Sequence, residues 1–271
     1  MSAFSTVLST SLVCPTPSAV EGVSASVINT GWTVVDWSKV DRDARGGKVQ
    51  LPFLVGVIEH PDGRVWVDAG LGSQTRAGRY PRLLPTGNLE VPVGGTAIEQ
   101  TGGPPRLVLT THLHYDHISG ILDLPSDVTV WTTAEEWATA RTSNAAFPER
   151  LMQKAATWHV EALVAGTSAQ VLGVPAKDVL GDGTVWYMST PGHTPGSASV
   201  LVRGEDHVWL FVGDTAWVDS HLLSGNRPRH VSWLVDGRPR DLRRSLQWAR
   251  NLRAACPDLN IVAGHEPAWV R

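Results

Sequence analysis

The chain has 271 residues, 42% of them hydrophobic and 18% charged, enough apolar material for a sizeable core, which excludes wholesale disorder. Its 23 basic and 26 acidic residues leave a net charge of −3, which speaks against a nucleic-acid-wrapping protein, since such proteins draw affinity from concentrated positive charge. No stretch approaches the ~20 apolar residues needed to span a bilayer, so no membrane partner is expected.

The Ser/Thr-rich start has no basic region ahead of an apolar run, so it reads as a loosely ordered leader over residues 1–25 rather than a signal peptide. Short β-branched or aromatic runs then predict strands at Val27–Asp36, Phe53–Glu59, Val65–Asp68, Leu107–Thr110 and Val128–Trp131. A helix is expected over Thr133–Thr142, capped by Thr132 or Thr133 ahead of Glu135 and Glu136, and another from about Glu149 to Ala165. Strands follow at Val185–Met188, Ala198–Val202, Val208–Val212 and Asn260–Val262. A last helix, Arg240–Ala255, carries an apolar stripe of Leu242, Leu246, Ala249 and Leu252, with Arg243, Arg244, Arg250 and Arg253 off it as a solvated face. Strands at both ends with helices between predict two packed sheets covered by helices in one domain over 1–271. Gly72–Pro105 and His221–Pro239 lack periodicity and are expected to form loops rimming a site. Cys14 and Cys256 are too few to staple a fold of this size and read as reduced thiols of a cytoplasmic protein.

The chemistry concentrates in Leu109–Gly120, where an apolar strand runs into His112-x-His114-x-Asp116-His117. In extended chain His112 and His114 point the same way, and a turn into a short helix would carry Asp116 and His117 to the other side of the loop. Buried imidazoles without partners are costly, so a metal is the economical reading. Three more pieces follow strands: His193 in Thr190-Pro191-Gly192-His193-Thr194-Pro195-Gly196, Asp214 after Val208–Val212, and His265 after Ile261–Gly264. The count fits two ions, one on His112, His114 and His193, the other on Asp116, His117 and His265, with Asp214 bridging. Such a pair sits ~3.5–4 Å apart and holds a shared water as hydroxide near neutral pH. The nitrogen and oxygen ligands suit zinc, taken as the first choice, and equally iron or manganese. Tyr115 is expected to turn away into the core and His60 to sit in a solvated hairpin turn. His159, His207, His221 and His230 lack ligand-type spacing.

From about Phe53 to His265 this order resembles the metallo-β-lactamase-fold superfamily, whose full di-metal set it carries. The resemblance implies a four-layer αββα sandwich of the α/β (α+β) class, with the metals at one edge between the sheets. Val65-Trp66-Val67-Asp68-Ala69-Gly70 looks like the family's early strand and Asp-x-Gly turn, where Asp68 would orient a ligating imidazole. Asp214 as bridge disfavours antibiotic hydrolysis, and His114 where flavodiiron proteins have Glu disfavours a redox site. A chain stopping six residues after His265 leaves no room for the glutathione-binding domain of glyoxalase II or a nuclease clamp. The resemblance is nearest to the quorum-quenching lactonases, which place a Tyr three residues after the bridging Asp. Trp217 stands there in this chain, an indole able to stack on a substrate and donate one hydrogen bond. The expectation is a metallo-hydrolase opening an ester-type bond of a small molecule, lactone first, with Asp116 as ligand and proton shuttle. Thioester or phosphodiester hydrolysis on the same site, or a mononuclear iron dioxygenase, are the alternatives.

Overall fold

Short strands with no polar face have to be buried on both sides, and that demand organises the whole molecule. The structure, a computed structural model, describes residues 13–79, 88–142, 157–164, 168–228 and 236–270. In chain order the strands are β1 (Ser24–Asp36), β2 (Lys48–Glu59), β3 (Val65–Val67), β4 (Leu89–Glu90), β5 (Leu107–Leu109), β6 (Thr129–Thr133), β7 (Thr157–Glu161), β8 (Ala169–Val171), β9 (Val174–Asp178), β10 (Val185–Ser189), β11 (Ala198–Arg203), β12 (Val208–Gly213) and β13 (Leu259–Ala263). The helices are α1 (Ser73–Arg76), α2 (Ala97–Thr101), α3 (Tyr115–Ile118), α4 (Ala134–Ala140), α5 (Asp219–Ser224) and α6 (Pro239–Ala255). They form two sheets, ordered β4-β1-β2-β3-β5-β6-β7 and β13-β12-β11-β10-β9-β8.

Alternation along each strand sorts side chains into three apolar layers. Val65 and Val67 of β3 and Leu107 and Leu109 of β5 face inward, against Val185 and Tyr187 of β10 and Phe211 of β12. On the outer face of the first sheet, Trp66 and Val108 meet Tyr115 and Ile118 of α3. On the outer face of the second, Leu210, Val212 and Ile261 meet Leu246, Ala249 and Leu252 of α6, the predicted stripe. The result is the expected order of layers, helix, sheet, sheet, helix. Parallel pairing of β3 with β5 and of β12 with β13 sends the strand ends that matter to one rim.

Several expectations need correction. The segment expected to be helical from Glu149 to Ala165 holds β7 at Thr157–Glu161, paired in parallel with β6, while residues 149–156 lie outside the described ones. The expected loop Gly72–Pro105 carries α1, β4 and α2, and α2 opens with a capping box between Thr96 and Glu99. His221–Pro239 begins within α5. The leader is tied down from Cys14 onward: Ser18 N–H donates to the Gly204 carbonyl at 2.9 Å, and Val23 is buried. Cys14 and Cys256 are joined in a disulfide across 242 positions, so they are not reduced thiols and give no argument for a cytoplasmic home. Two residues far apart in sequence cannot announce a pairing by spacing. His60 is not solvated: its side chain is 3% exposed and its Nε2 lies 2.9 Å from Asp182. Among the described residues, no helix is long and apolar enough to cross a membrane.

Candidate metal centre

Strands β5, β10, β12 and β13 all end at the same rim, and each is followed within a few residues by a side chain of the site. After β5 the chain stays extended through His112, and His114 then becomes the N-cap of α3, which carries Asp116 and His117. Tyr115 turns away as expected, buried and within 3.0 Å of the Thr75 hydroxyl. After β10 the Pro/Gly-rich turn presents His193. Gly192 is required there: its φ is +148°, and a Cβ would lie 2.2 Å from the Leu242 backbone of α6. The pairing of β12 with β13 sets Gly213 opposite Ala263, so Asp214 and His265 emerge side by side.

Asp214 is the centre of the arrangement. Its Oδ1 lies 3.2 Å from His117 Nε2 and 3.2 Å from His265 Nε2, and its Oδ2 lies 3.2 Å from His193 Nε2. Asp116 Oδ2 stands 3.8 Å from His265 Nε2 and 3.9 Å from His117 Nε2. His193 Nε2 is 2.9 Å from His114 Nδ1. Three sets of ligand atoms lie close enough to hold an ion: His112, His114 and His193; His112, His117 and Asp214; and Asp116, His117 and His265. All seven residues expected as ligands are thereby brought together.

Partners behind the rings decide which nitrogen faces inward. His117 Nδ1 donates to Asp68 Oδ2 at 2.7 Å, as expected of Asp68, whose other oxygen accepts the Thr111 N–H at 2.6 Å. Asp68 holds this place with φ at +61°, a left-handed conformation that Asp tolerates. The Thr111 hydroxyl donates to Asp68 Oδ2 at 2.8 Å and so is free to accept from His112 Nδ1 at 3.2 Å. His265 Nδ1 donates to the Pro52 carbonyl at 2.9 Å. The inward His112 Nε2, His117 Nε2 and Asp214 Oδ1 are buried and have no hydrogen-bond partner. Buried polar atoms packed this densely, with no aligned hydrogen-bond partner, fit divalent cations.

Burial and the neighbouring charges shift the rings in opposite directions. Burial holds His112 and His114 well below the ordinary histidine range, with neighbouring imidazoles adding to it. Burial would also lower His117 and His265, but carboxylates outweigh it: Asp68, Asp214 and Asp116 raise His117, and Asp214 and Asp116 raise His265. For Asp214 burial acts upward, and the His265, His193 and His117 rings overcome it to keep the carboxyl well below its usual range.

Four participants had no sequence signal. Asp236, with a fully buried side chain, accepts from His193 Nδ1 at 2.7 Å. Arg227 donates to Asp236 at 2.6 Å and to the Asp214 carbonyl at 2.7 Å. Glu136, 1% exposed, accepts the Leu113 N–H at 2.8 Å and the Gly196 N–H at 3.2 Å, tying the two histidine loops together. His221, also buried, accepts the Trp217 N–H at 3.2 Å and donates to the Val40 carbonyl at 2.7 Å. Trp217 does reach the site, but its indole N–H donates to Asp214 Oδ2 at 2.9 Å rather than pointing toward a substrate. His159 pairs with Glu161 away from the centre, and His230 lies outside the described residues.

The chain is similar to known proteins in sequence and in fold. Over 241 residues the chain is 29% identical to a probable metallo-hydrolase of Mycobacterium tuberculosis, covering 81% of this chain and 76% of that protein. It is 27% identical over 239 residues to the N-acyl homoserine lactonase AttM of Rhizobium johnstonii, covering 82% and 85%. A crystal structure of a B. thuringiensis AiiA variant, with N-decanoyl-L-homoserine bound at its active site, superposes with a TM-score of 0.71 at 16% identity, covering 91% of this chain and 94% of that one. Residues 52–265, which include every ligand candidate, match the family, so the chain belongs to the metallo-beta-lactamase superfamily.

Proposed function

We propose that this hydrolase opens the ester bond of a small lactone at a pair of divalent ions, zinc by first choice, and that residues 1–271 act as one domain. His112, His114 and His193 would hold one ion, Asp116, His117 and His265 the other, and Asp214 would offer one oxygen to each. When bound, such ions supply a water nucleophile at neutral pH and polarise a carbonyl oxygen. Asp68 and Asp236 keep the His117 and His193 rings turned inward, so little reorganisation is needed when charge develops. Asp116 is the carboxylate of the set with the more open side chain, 13% exposed against 7% for Asp214, and we assign it the proton that must pass to the departing alkoxide. That proton comes from the attacking water, so the carboxylate that shuttles it needs this access to the cleft.

The observation that carries the reading is the group of orphaned, buried lone pairs on His112, His117 and Asp214. The named relative AttM is an N-acyl homoserine lactonase and the AiiA structure holds an N-decanoyl-L-homoserine, which favours lactones over thioesters and phosphodiesters. Metal analysis of the purified protein followed by a pH-stat screen against the three substrate classes tests it. Two zinc ions per chain and fastest proton release from a lactone are expected. One iron per chain with dioxygen uptake would overturn hydrolysis in favour of an oxygenase. Preference for a thioester or phosphodiester would overturn the lactone alone.

A further inference from the structure

Arg227 is a buried cation whose hydrogen bonds reach the Asp236 carboxylate behind His193 and the backbone of Asp214. It follows α5, with a side chain 4% exposed. One terminal nitrogen, Nη2, donates to Asp236 Oδ1 at 2.6 Å, the same oxygen that accepts from His193 Nδ1 at 2.7 Å. The other, Nη1, donates to the Asp214 backbone carbonyl at 2.7 Å. Its guanidinium lies over Trp217, Cζ 3.8 Å from the ring centroid, and that ring aims its N–H at Asp214 Oδ2, the oxygen facing His193. A planar fork that stacks and donates in two directions at once is a task a lysine ammonium cannot perform. The other half is braced differently: Asp68 stands behind His117 and the Pro52 carbonyl behind His265.

We infer that Arg227 is a positioning residue for the ion held by His112, His114 and His193, and for that ion alone. It acts through two arms, Asp236 against His193 and Trp217 against Asp214 Oδ2. Without the guanidinium, Asp236 loses the charge-assisted bond at the same oxygen that accepts from His193 Nδ1, and the His193 ring loses its fixed aim. The His117 and His265 rings keep their partners.

This inference rests on the two-ion reading, and competition between the protein and a chromophoric zinc chelator separates the two. Wild type should retain two zinc ions per chain; fewer than two would overturn the centre itself. Arg227→Met keeps an unbranched apolar stem but removes the guanidinium, its charge and its donors. It should surrender one zinc at about 10- to 100-fold lower chelator concentration and hold the other as wild type does. Asp236→Asn should weaken the same ion, and the double variant should lose no more than the worse single one, because Asp236 is one of the two arms through which Arg227 acts. Arg227→Lys, which can satisfy one arm, should fall between. Cobalt(II) substitution gives a second readout: the visible bands of one ion should change in Arg227→Met while those of the other persist. Equal weakening of both ions, or retention of both, would overturn the assignment. If Arg227→Met does not fold, Asp236→Asn and Arg227→Lys decide by the same criteria.

Discussion

Each proposed ligand imidazole whose rear nitrogen has a fixed acceptor is aimed by it, and the aiming residues give the sharpest tests. Replacing Asp68 by Asn keeps the size but weakens the acceptor behind His117; kcat/KM or zinc affinity should fall about 10- to 100-fold with the fold preserved by circular dichroism. Asp214→Ala removes the carboxylate that faces three rings, and zinc content should drop below two per chain with loss of turnover; undiminished activity would contradict the bridging assignment. His221 gives a pH test. Burial, with Arg227 nearby, pushes its pKa down to about 4 from 6.5. The unfolded chain therefore takes up the proton first as pH falls, and stability is lost between pH 6.5 and about 4. Between pH 7 and 5 the cost is about 2 kcal/mol, which His221→Gln should recover in urea unfolding of the metal-free protein. At this scale the sequence was legible where ligands lie close together, as in His112–His117, or follow an apolar strand, as Asp214 and His265 do. Asp236 and Arg227 were not legible: an acid 43 positions beyond its imidazole becomes a partner only through the fold.

Elements follow the same division between local and distant causes. The alternation in β3, β5, β10 and β12 and the stripe of α6 are local patterns, and both appear where expected. The β8–β9 hairpin was missed because its turn places Leu172 and Gly173 at φ +52° and +82°, and a leucine there gives no turn signal. β7 reads as helix in the sequence because what makes it a strand is its place next to β6, a parallel neighbour that only topology supplies. The contact between α4 and the two histidine loops is testable through Glu136, whose pKa burial raises. Glu136→Ala leaves the Leu113 and Gly196 N–H groups buried and unpaired, and unfolding free energy should fall by about 2–5 kcal/mol in denaturant titrations. Glu136→Gln, which retains an acceptor oxygen, should lose less.

Over the whole molecule, the proposed ligands come from both sheets: His112, His114, Asp116 and His117 follow a strand of the first, and His193, Asp214 and His265 follow strands of the second. The disulfide sits at the other end of the same architecture, because Cys256 precedes β13 and His265 follows it. β13 is five residues long, so roughly 17 Å of strand separates a covalent tether from an ionic one. Fasteners that far apart share no partner and should work independently. Saturating zinc should contribute about 4 kcal/mol at a thousandfold excess over its dissociation constant, and the intact cystine about 2–5 kcal/mol. Chelator and reductant should then each lower the melting temperature, and together by the sum of the two. A combined shift well short of that sum would mean that opening either end already lets the sandwich part along its seam.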